Sequence, residues 1–476
     1  MISSNNSITP RSKDFAQWYT DVVKAARLAD YSNVKGFLVY EPNGYAIWEM
    51  IQKIADQKFK ETGHVNVYMP LLIPESMLCK ESDLIEGFAP EVAWVTEGGD
   101  KKLEERLAIR PTSETLFGDY YSKTTESWRD LPKLCNQWCS VLRWEKSTRP
   151  FLRSREFLWQ EGHTAHATAE EAEAETLRML EVYRDIAENY LAMPVIAGRK
   201  TESEKFAGAV YTTTIEAMMY NGVALQAGTS HYFGQKFAEA YDIKFTDKDE
   251  KLTYAYTTSW GISTRLIGGL IMTHSDDKGL VLPPKVAPKQ VRIVPIIKDD
   301  EIMKAAEKVL EDLKKANIRI DVDRSDDSAG SKFAESEVQG IPIRLEIGKK
   351  DLENGVVTLV RRDTGEKMTV KNNDKLAEET IKLLDEIQQN LFNNAKKRMD
   401  DLSTEAHSAD EMLESIKKQP GFIHAMWCGD PACEEYLKEK GAIRSRCIVK
   451  DGAKIDDKCA VCGKPAKHHV IWGIQY

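Results

Sequence analysis

Side chains that could build a ligand-binding site are concentrated between residues 141 and 166. Arg143 and Glu145 are two residues apart, so a strand at this position would place both on one face. After a basic loop the same alternation appears in four further residues, which are Phe157, Trp159, Glu161 and His163. Two antiparallel strands would display all these side chains together, and aromatic walls with converging polar groups are typical of small-molecule sites. A polar strand that faces solvent is the alternative interpretation.

A second group of residues that could bind a ligand is a set of four cysteines near the C-terminus, arranged as two close pairs. The four residues are Cys428, Cys433, Cys459 and Cys462. Two thiolate pairs at this spacing are typical of a tetrahedral zinc site, and four protein ligands leave no open coordination position. The spacing therefore predicts a structural Zn²⁺ ion, with free or redox-active thiols as the alternative.

The elements that would position the 141–166 segment follow from local sequence signals. Residues 43–62 have apolar residues at helical spacing, and residues 64–70 alternate as a strand that ends at Pro70. Thr168 and Glu171 form a capping box, which predicts a helix that continues to the next proline. Helices and antiparallel strands should therefore surround the polar segment.

A proline-rich stretch at 282–288 predicts a linker between two units. Beyond it, strands are predicted at 291–297, 318–322, 341–347 and 356–360, and helices at 301–315, 332–338 and 374–391. Strands that alternate with helices indicate a compact α/β unit. A polar stretch at 393–408 leads into a third unit, which carries the clustered cysteines.

Composition limits the classes of protein that this chain can represent. At roughly 150 residues per domain, 476 residues predict about three domains, and the net charge of −9 argues against a polycation that coats nucleic acid. No apolar run approaches the ~18 residues that a membrane-spanning helix needs. The polar N-terminus predicts no signal or transit peptide, and the cysteine usage fits a reducing compartment. We therefore expect a cytoplasmic protein with no membrane partner.

Several motifs resemble those of a known enzyme family. Arg143, Glu145, Arg153 and Phe157 resemble motif 2 of class II aminoacyl-tRNA synthetases. The helix and strand at 43–70 resemble motif 1, and a strand at 253–259 with the segment 263–268 resembles motif 3. More specific strings are RPTSE (110–114), FLWQEGHT (157–164), QAGTSH (226–231) and HSDDKG (274–279). Together they resemble the prolyl-tRNA synthetases, over nearly the whole chain.

The resemblance implies three domains and a two-step reaction. Residues 1–282 would form an α+β catalytic domain built on an antiparallel sheet, 289–390 an α/β anticodon-binding domain, and 391–476 a small α+β zinc-binding domain. L-proline and ATP would give prolyl-adenylate, and the prolyl group would then pass to tRNA(Pro). Motif 1 forms dimers in this class, so a homodimer is expected, with no DNA partner.

The resemblance also assigns residues to the catalytic step and to ATP. Arg143 would bridge the proline carboxylate and the α-phosphate, because its planar fork suits two anions. Arg265 would hold the far end of ATP at a helix N-terminus, where the backbone also favours phosphate. Further contacts to ATP and its Mg²⁺ would come from Glu145, Arg153, Phe157, Gln226, Thr229 and Ser263. Strand parity puts Gln226 and Thr229 on opposite faces, so a bulge near Gly228 is required if both point inward.

Proline presents a secondary ammonium group and an apolar ring to its binding site. By resemblance, Thr112 and Glu114 would receive the ammonium group, while Arg143 would hold the carboxylate. The ring would be enclosed by Trp159, Glu161, His163 and His231. A metal pair formed by His163 and His166 is a weaker alternative to buried structural histidines.

The α/β unit is expected to recognise the anticodon by individual cations, because its charge is balanced. Residues 289–371 contain 17 basic and 17 acidic residues. By resemblance, an unstacked anticodon loop would meet Arg344, Glu346, Lys349 and Arg361. Solvated charges at the edge of a sheet are the alternative interpretation.

Two further expectations follow from the resemblance. Only 59 residues separate His166 from Gln226, which is too few for the editing insertion of many bacterial relatives, so the archaeal and eukaryotic-like type is indicated. The carboxylate of the final residue, Tyr476, would reach toward the active site. The competing hypotheses are a class II synthetase for another amino acid and a non-catalytic tRNA-binding paralogue.

Overall fold

A computed structural model describes residues 8–80, 92–450 and 452–476. In its N-terminal part the strands are β1 (Ala29–Tyr31), β2 (Leu38–Tyr40), β3 (Val65–Asn66), β4 (Leu72–Pro74), β5 (Ala93–Gly98), β6 (Lys101–Ile109), β7 (Lys133–Leu142), β8 (Glu156–His166), β9 (Val195–Arg199), β10 (Tyr211–Met218), β11 (Ala224–Gly234), β12 (Lys244–Thr246), β13 (Leu252–Tyr254) and β14 (Tyr256–Ser263). The helices are α1 (Phe15–Ala25), α2 (Pro42–Glu61), α3 (Glu75–Leu78), α4 (Glu114–Thr124), α5 (Ala169–Asp185), α6 (Lys236–Tyr241) and α7 (Arg265–His274). A 3₁₀ turn (Trp128–Asp130) and a π turn (Ile186–Tyr190) complete this part.

The described residues build one large sheet in the order β20 (Ser403–Glu405), β21 (Phe422–Trp427), β23 (His468–Gly473), β22 (Arg444–Val449), β9, β10, β11, β14, β8, β7 and β3. From β9 to β7 every neighbouring pair is antiparallel, as expected for this unit. The face that carries Trp260 is apolar and packs against residues of α2 and α5, including Phe59 and Tyr183. Gly162 is essential to this packing, because a Cβ there would lie 2.1 Å from the Trp260 ring. The opposite face is left for polar side chains.

Local signals explain where the main helices begin. Pro42 occupies the first turn of α2, where its missing N–H costs nothing. The Thr168 side chain accepts a hydrogen bond from the Glu171 N–H at the start of α5, which is one half of the predicted capping box, while the Glu171 carboxylate accepts from Ala167 N–H instead of from Thr168 N–H. The bounds of α2 and the start of α5 therefore agree with the sequence.

The predicted strand at 64–70 is wrong in its length, since β3 contains only Val65 and Asn66. Val67 N–H still donates to the Asn136 carbonyl at 2.8 Å, but Met69 N–H donates to the Gln137 side chain, also at 2.8 Å. The side-chain amide replaces the backbone ladder, so the strand ends early.

The middle of the chain forms a separate mixed sheet in the order β16-β15-β17-β18-β19. Its strands are β15 (Val291–Pro295), β16 (Ile320–Val322), β17 (Ile343–Ile347), β18 (Val356–Arg361) and β19 (Lys367–Lys371). Its helices are α8 (Asp300–Lys315), α9 (Ala329–Val338), α10 (Lys349–Glu353) and α11 (Leu376–Asp401). Strands β16, β15 and β17 are parallel, in agreement with the predicted α/β pattern.

Helix α11 corrects the predicted helix at 374–391, because it continues to Asp401. Ala395 and Met399 extend its buried face, and Arg398 donates to the Thr273 carbonyl in α7 at 2.7 Å. The extra turns are held by contact with the N-terminal part of the chain, which local periodicity does not reveal.

The C-terminal part does not form a sheet of its own. Its strands are β20 (Ser403–Glu405), β21 (Phe422–Trp427), β22 (Arg444–Val449) and β23 (His468–Gly473), and its helices are α12 (Ala409–Lys418) and α13 (Pro431–Gly441). Strand β22 pairs antiparallel with β9 through Ile448 and Val449, so these strands continue the large sheet. Across the described ranges, no helix is both long enough and apolar enough to span a membrane.

Candidate active site

The polar face of the large sheet carries a cavity of about 210 Å³. Its floor is formed where β8, β14 and β11 lie side by side, since Glu161 pairs with Gly261 and His163 pairs with Ser259. On the next strand, His231 in turn pairs with Ser259. The predicted residues that line the cavity are Thr112, Glu114, Arg143, Phe157, Trp159, Glu161, His163, Gln226, Thr229, His231, Ser263 and Arg265.

The expectation that Arg143 and Glu145 lie on a strand is wrong, because β7 ends at Leu142. Arg143 N–H donates to the Arg155 carbonyl and Glu145 N–H to the Arg143 carbonyl, both at 2.7 Å. A tight turn therefore replaces the ladder. Arg143 nevertheless reaches the cavity, where Nε donates to the Pro111 carbonyl at 3.0 Å.

The Arg143 guanidinium lies against two aromatic rings. Its central carbon is 5.5 Å from the centre of the Phe157 ring and 5.4 Å from that of Trp159. The two rings meet edge to face at 5.9 Å. Attraction to both rings holds the cation at the wall of the cavity, where it can meet an anion.

Three arginines form the cationic end of the cavity region. Burial and the positive charges of Arg153 and Arg143 lower the pKa of Arg265 to about 10. Arg265 thus remains charged near neutral pH, and its Nε donates to the Leu152 carbonyl at 3.2 Å. Arg153 lies 3.5 Å from the carboxylate of Glu145, and neither of these two lines the cavity itself. Such a concentration of positive charge suits a polyphosphate.

Gln226 and Thr229 both line the cavity although they are three residues apart on β11. The pairing of β10 with β11 shifts between Ile215–Gly228 and Glu216–Gln226, which leaves Ala227 without a partner residue. The bulge required by strand parity is therefore present, next to Gly228.

Glu161 is the centre of a buried hydrogen-bond network at the opposite end. Its carboxylate accepts from Ser113 N–H at 3.0 Å and from Gln137 Nε2 at 2.8 Å, and lies 3.0 Å from His163 Nε2. Burial alone would raise the pKa of Glu161, but its contacts with His163, Ser113 and Gln137 hold that pKa below the usual range. The carboxylate is therefore ionised at neutral pH.

A second buried carboxylate, Glu114, lies beside this network. It accepts from Ser259 Oγ at 3.2 Å and from the Thr112 hydroxyl, which also contacts Glu161. One oxygen of each carboxylate and a nitrogen of His163 all lie within 4.8 Å of one another. Two carboxylates so close together favour the binding of a cation, such as an ammonium group.

His231 is an uncharged side chain that lines the carboxylate end of the cavity. Burial, together with the neighbouring His163 ring and the positive charge of Arg143, lowers the pKa of His231 to about 3. Its ring nitrogens lie 2.9 Å from the Thr212 hydroxyl and 3.1 Å from that of Thr229. His166 faces the other side of the sheet, where it contacts Thr164 at 2.8 Å, so His163 and His166 do not converge as a metal pair.

The structure adds cavity residues that the sequence reasoning missed, namely Glu204, Phe206, Thr212 and Ser259. The Phe206 ring packs on His231 with ring centres 4.6 Å apart. Strand parity could have identified Ser259 and Thr212, which are in register with His231. Glu204 and Phe206 lie on a loop between β9 and β10 and carry no local signal.

The four predicted cysteine ligands come together as one cluster. Cys428 Sγ is 3.8 Å from that of Cys433 and 3.6 Å from that of Cys462, while the sulfurs of Cys459 and Cys433 are 4.0 Å apart. All four sulfurs lie within 4.8 Å of one another. A tetrahedral zinc with bonds of about 2.3 Å needs sulfurs about 3.8 Å apart, so the residues fit the ion.

The predicted anticodon residues do not form a single open surface. Arg344 Nε donates to Glu346 at 2.9 Å, and both side chains are largely buried. Arg361 pairs with Asp363 at 2.7 Å, whereas Lys349 is exposed at the start of α10. Arg344 and Arg361 both line a polar cavity of about 170 Å³, together with Asp276 and Lys278 of the HSDDKG string.

The final residue lies next to the strand that carries Gln226. Tyr476 N–H donates to the Ala224 carbonyl at 3.1 Å, and Asn221 Nδ2 donates to its hydroxyl at 2.9 Å. The C-terminus is thereby fixed against the catalytic sheet.

Three family models match the chain. Residues 94–274 match the tRNA synthetase class II core domain (G, H, P, S and T), residues 290–383 match the anticodon binding domain, and residues 409–476 match the prolyl-tRNA synthetase C-terminal model. The polar cavity lies within the first match and the cysteine cluster within the third.

Curated proteins similar to this chain include several bacterial enzymes. A proline–tRNA ligase of Clostridium novyi is 57% identical over 471 residues, covering 99% of this chain and 98% of the relative. One from Ruminiclostridium cellulolyticum is 55% identical over 470 residues, covering 98% of each chain. Proline–tRNA ligase 2 of Bacillus thuringiensis is 57% identical over 470 residues, with 99% and 98% coverage.

Proposed function

The chain belongs to the prolyl-tRNA synthetase family and ligates proline to tRNA with ATP, and we propose that the polar cavity is where proline is activated. One observation carries this assignment: two buried carboxylates lie at one end of the cavity and three arginines cluster at the other. An amino acid ammonium group and a triphosphate require this arrangement of charge. The three relatives described above are all proline–tRNA ligases, which argues against a synthetase for another amino acid.

The nucleotide would occupy the arginine end. Arg265 would hold the far phosphates, Arg153 and Glu145 would make further contacts, and Phe157 would stack on adenine. The side-chain oxygens of Gln226, Thr229 and Ser263 suit a Mg²⁺ ion held mainly by ATP phosphates and water, where it would neutralise phosphate charge. Arg265, Phe157, Gln226, Thr229 and Ser263 line the cavity, whereas Arg153 and Glu145 pair with each other beside it.

Proline would occupy the carboxylate end. Glu114, with Thr112, would receive the secondary ammonium, and Glu161 would reinforce the negative charge beside it. Trp159, His163 and His231 would enclose the apolar ring. A neutral His231 favours this role, because a charged imidazole would repel the ammonium group.

The first chemical step would bring two anions together. The proline carboxylate attacks the α-phosphorus and pyrophosphate leaves, so orientation and charge neutralisation account for most of the acceleration. Arg143 belongs to the arginine end but also acts on His231 at the proline end, and it would bind both anions with its planar fork. The prolyl group then passes to the 3′ end of tRNA(Pro).

The proposed domains are a catalytic domain (1–282), an anticodon-binding domain (289–390) and a zinc-binding domain (391–476). The second of these would recognise the anticodon. Lys349 is the most accessible of the proposed contacts. Arg344, Glu346 and Arg361 would exchange their internal ion pairs for contacts with the unstacked bases. This exchange lowers the net gain from each contact, since a desolvated pair must first be broken.

The cysteine cluster is proposed to hold a structural Zn²⁺ ion. Cys428, Cys433, Cys459 and Cys462 supply four sulfurs at tetrahedral separations, so bound zinc would cross-link β21, α13 and the segment around residue 460. Cys447 is buried away from this set.

We also propose that the enzyme is a cytoplasmic homodimer of the type that lacks an editing insertion. The motif-1-like segment exposes apolar side chains, with Tyr68 at 70% and Val65 at 58% exposure, which supports a subunit interface there. The short span between His166 and Gln226 supports the absence of an editing unit.

Proline-dependent exchange of pyrophosphate into ATP tests the assignment of the cavity. The parent enzyme should exchange with proline, and Glu114→Gln should raise the KM for proline at least about tenfold, because the ammonium loses a charged partner. The matched control is Glu173→Gln on the exposed face of α5, which should behave like the parent. An unchanged KM in Glu114→Gln would contradict the proposed proline end.

A further inference from the structure

One wall of the cavity depends on a part of the chain that lies outside the catalytic sheet. The loop 200–210 joins β9 to β10, and its residues Glu204 and Phe206 line the cavity. Phe206 packs on His231 at the end of the cavity assigned to proline. What holds this loop therefore determines the shape of the proline site.

The two ends of the loop are fixed by the catalytic sheet. Lys200 N–H donates to the Thr212 carbonyl and Val210 N–H to the Tyr232 carbonyl, both at 2.8 Å. The Lys200 ammonium also forms a buried ion pair with Glu216 at 2.7 Å. These contacts, and the hydrogen bond from Phe206 N–H to Thr212 Oγ1 at 3.0 Å, anchor the loop on the catalytic sheet, and the side chains of its tip, residues 201–206, meet other groups as well.

The C-terminal part of the chain supplies further contacts that hold the tip. The Glu434 carboxylate accepts from Thr201 Oγ1 at 2.8 Å and from Ser203 Oγ at 2.6 Å. Its third partner is Ser445 Oγ on β22, at 2.6 Å. Arg444 on the same strand donates to Glu204 at 3.0 Å. The loop is thus clamped between α13 and β22.

Glu434 is well suited to act as this clamp. Its side chain is buried, and its carboxylate accepts hydrogen bonds from three hydroxyl groups. Hydrogen bonds to a carboxylate are short and strong compared with those between neutral groups. Glu434 directly follows Cys433 in the first turn of α13, so the position of the carboxylate is tied to the cysteine cluster.

We propose that Glu434 is a positioning residue, through which the C-terminal part of the chain holds the loop 201–206 and sets the affinity for proline. It touches no substrate and acts through Phe206 and Glu204. The inference rests on the proposed assignment of the His231 end of the cavity to proline. The nucleotide end lies around Arg265, and the loop makes no contribution to it among the described contacts.

The first test compares Glu434→Ala with the neighbouring Glu435→Ala, whose side chain is exposed and pairs with Lys438 on its own helix. In Glu434→Ala the KM for proline should rise roughly tenfold, while kcat and the KM for ATP change less than about twofold. Glu435→Ala should match the parent. A general loss of kcat with no change in the KM for proline would show a merely structural role and overturn the proposal.

The second test removes the same hydrogen bonds from the other side, away from the cysteines. The pair Thr201→Val with Ser203→Ala should reproduce the rise in the KM for proline at a zinc content equal to that of the parent. Adding Glu434→Ala to Phe206→Ala should raise the KM little further, because both act on one wall. Full additivity in this cycle would contradict the proposal.

Hydrogen–deuterium exchange supplies a readout that does not depend on substrate identity. Amide hydrogens of residues 201–206 should exchange at least about tenfold faster in Glu434→Ala than in Glu435→Ala. Unchanged exchange rates would overturn the proposal even if proline activation is confirmed. Faster exchange in an enzyme that fails to activate proline would instead contradict the function proposed for the cavity.

Discussion

His163 Nε2 and Glu161 Oε2 lie 3.0 Å apart on one face of β8, two residues apart in sequence. The histidine ring also stacks on Phe117, with ring centres 4.2 Å apart. One strand thus supplies both the ionised Glu161 carboxylate and the His163 ring that contacts it. Because alternate residues of a strand share one face, β8 places both side chains in the binding site. Several of the variants below change residues of this sheet or of its neighbours.

Arg143→Lys should lower proline-dependent pyrophosphate exchange by about 100-fold, because lysine cannot bridge two anions with a planar fork. The loss should appear in kcat/KM for both proline and ATP. Arg178→Lys, at an exposed side chain on α5, is the matched control and should retain parental rates. Retention of activity by Arg143→Lys would show that a point charge is sufficient.

Gly162→Ala should lower the free energy of unfolding by about 3 kcal/mol, because the added methyl group overlaps the Trp260 ring in a packed core. Urea denaturation measures this change. Gly330→Ala is the control, since no atom lies within 4 Å of its Cβ position near the start of α9. The control should leave the free energy of unfolding unchanged or raise it by up to about 1 kcal/mol, because alanine favours a helix more than glycine does. Equal stabilities for the two variants would contradict the packing argument.

Cys459→Ser should abolish the binding of one zinc ion per chain and lower the midpoint of thermal unfolding, because a tetrahedral site loses a ligand. Metal analysis of protein purified without chelators provides the measurement. Cys447→Ser should keep its zinc, since that thiol is buried outside the cluster. Parent protein without zinc would refute the structural site.

The enzyme should attach alanine to tRNA(Pro) at a low level and should not remove it. Alanine is smaller than proline, and a pocket rejects a smaller apolar ligand by only about 1–3 kcal/mol. Incubating the purified enzyme with preformed Ala-tRNA measures the second property, with the spontaneous rate of hydrolysis as the reference. Rapid hydrolysis would reveal an editing activity.

Acid should destabilise the protein through His166, whose pKa burial lowers to about 4 in the folded state. The unfolded histidine binds a proton near pH 6.5, so its contribution to stability is full above that pH and is lost as pH falls toward 4. His166→Gln, which can keep the contact with Thr164, should reduce the pH slope of unfolding free energy in this window by about 1.4 kcal/mol per pH unit. Identical slopes for parent and variant would contradict this assignment.

The sequence was informative wherever one element by itself carries the signal. Alternation placed Phe157, Trp159, Glu161 and His163 on one face, and the parity of Gln226 and Thr229 required the bulge that β11 contains. Cysteine spacing predicted a cluster of four sulfurs. Each of these features follows from backbone geometry over a few residues, together with residue types that suit one chemistry.

Contacts between distant segments were decided only by the tertiary structure. Turn hydrogen bonds moved Arg143 off the strand, and packing against α7 extended α11 to Asp401. Pairing of β22 with β9 joined the C-terminal strands to the catalytic sheet and brought Glu434 to the loop that carries Phe206. Local periodicity cannot encode such contacts, because their free energy arises when surfaces far apart in sequence are buried together.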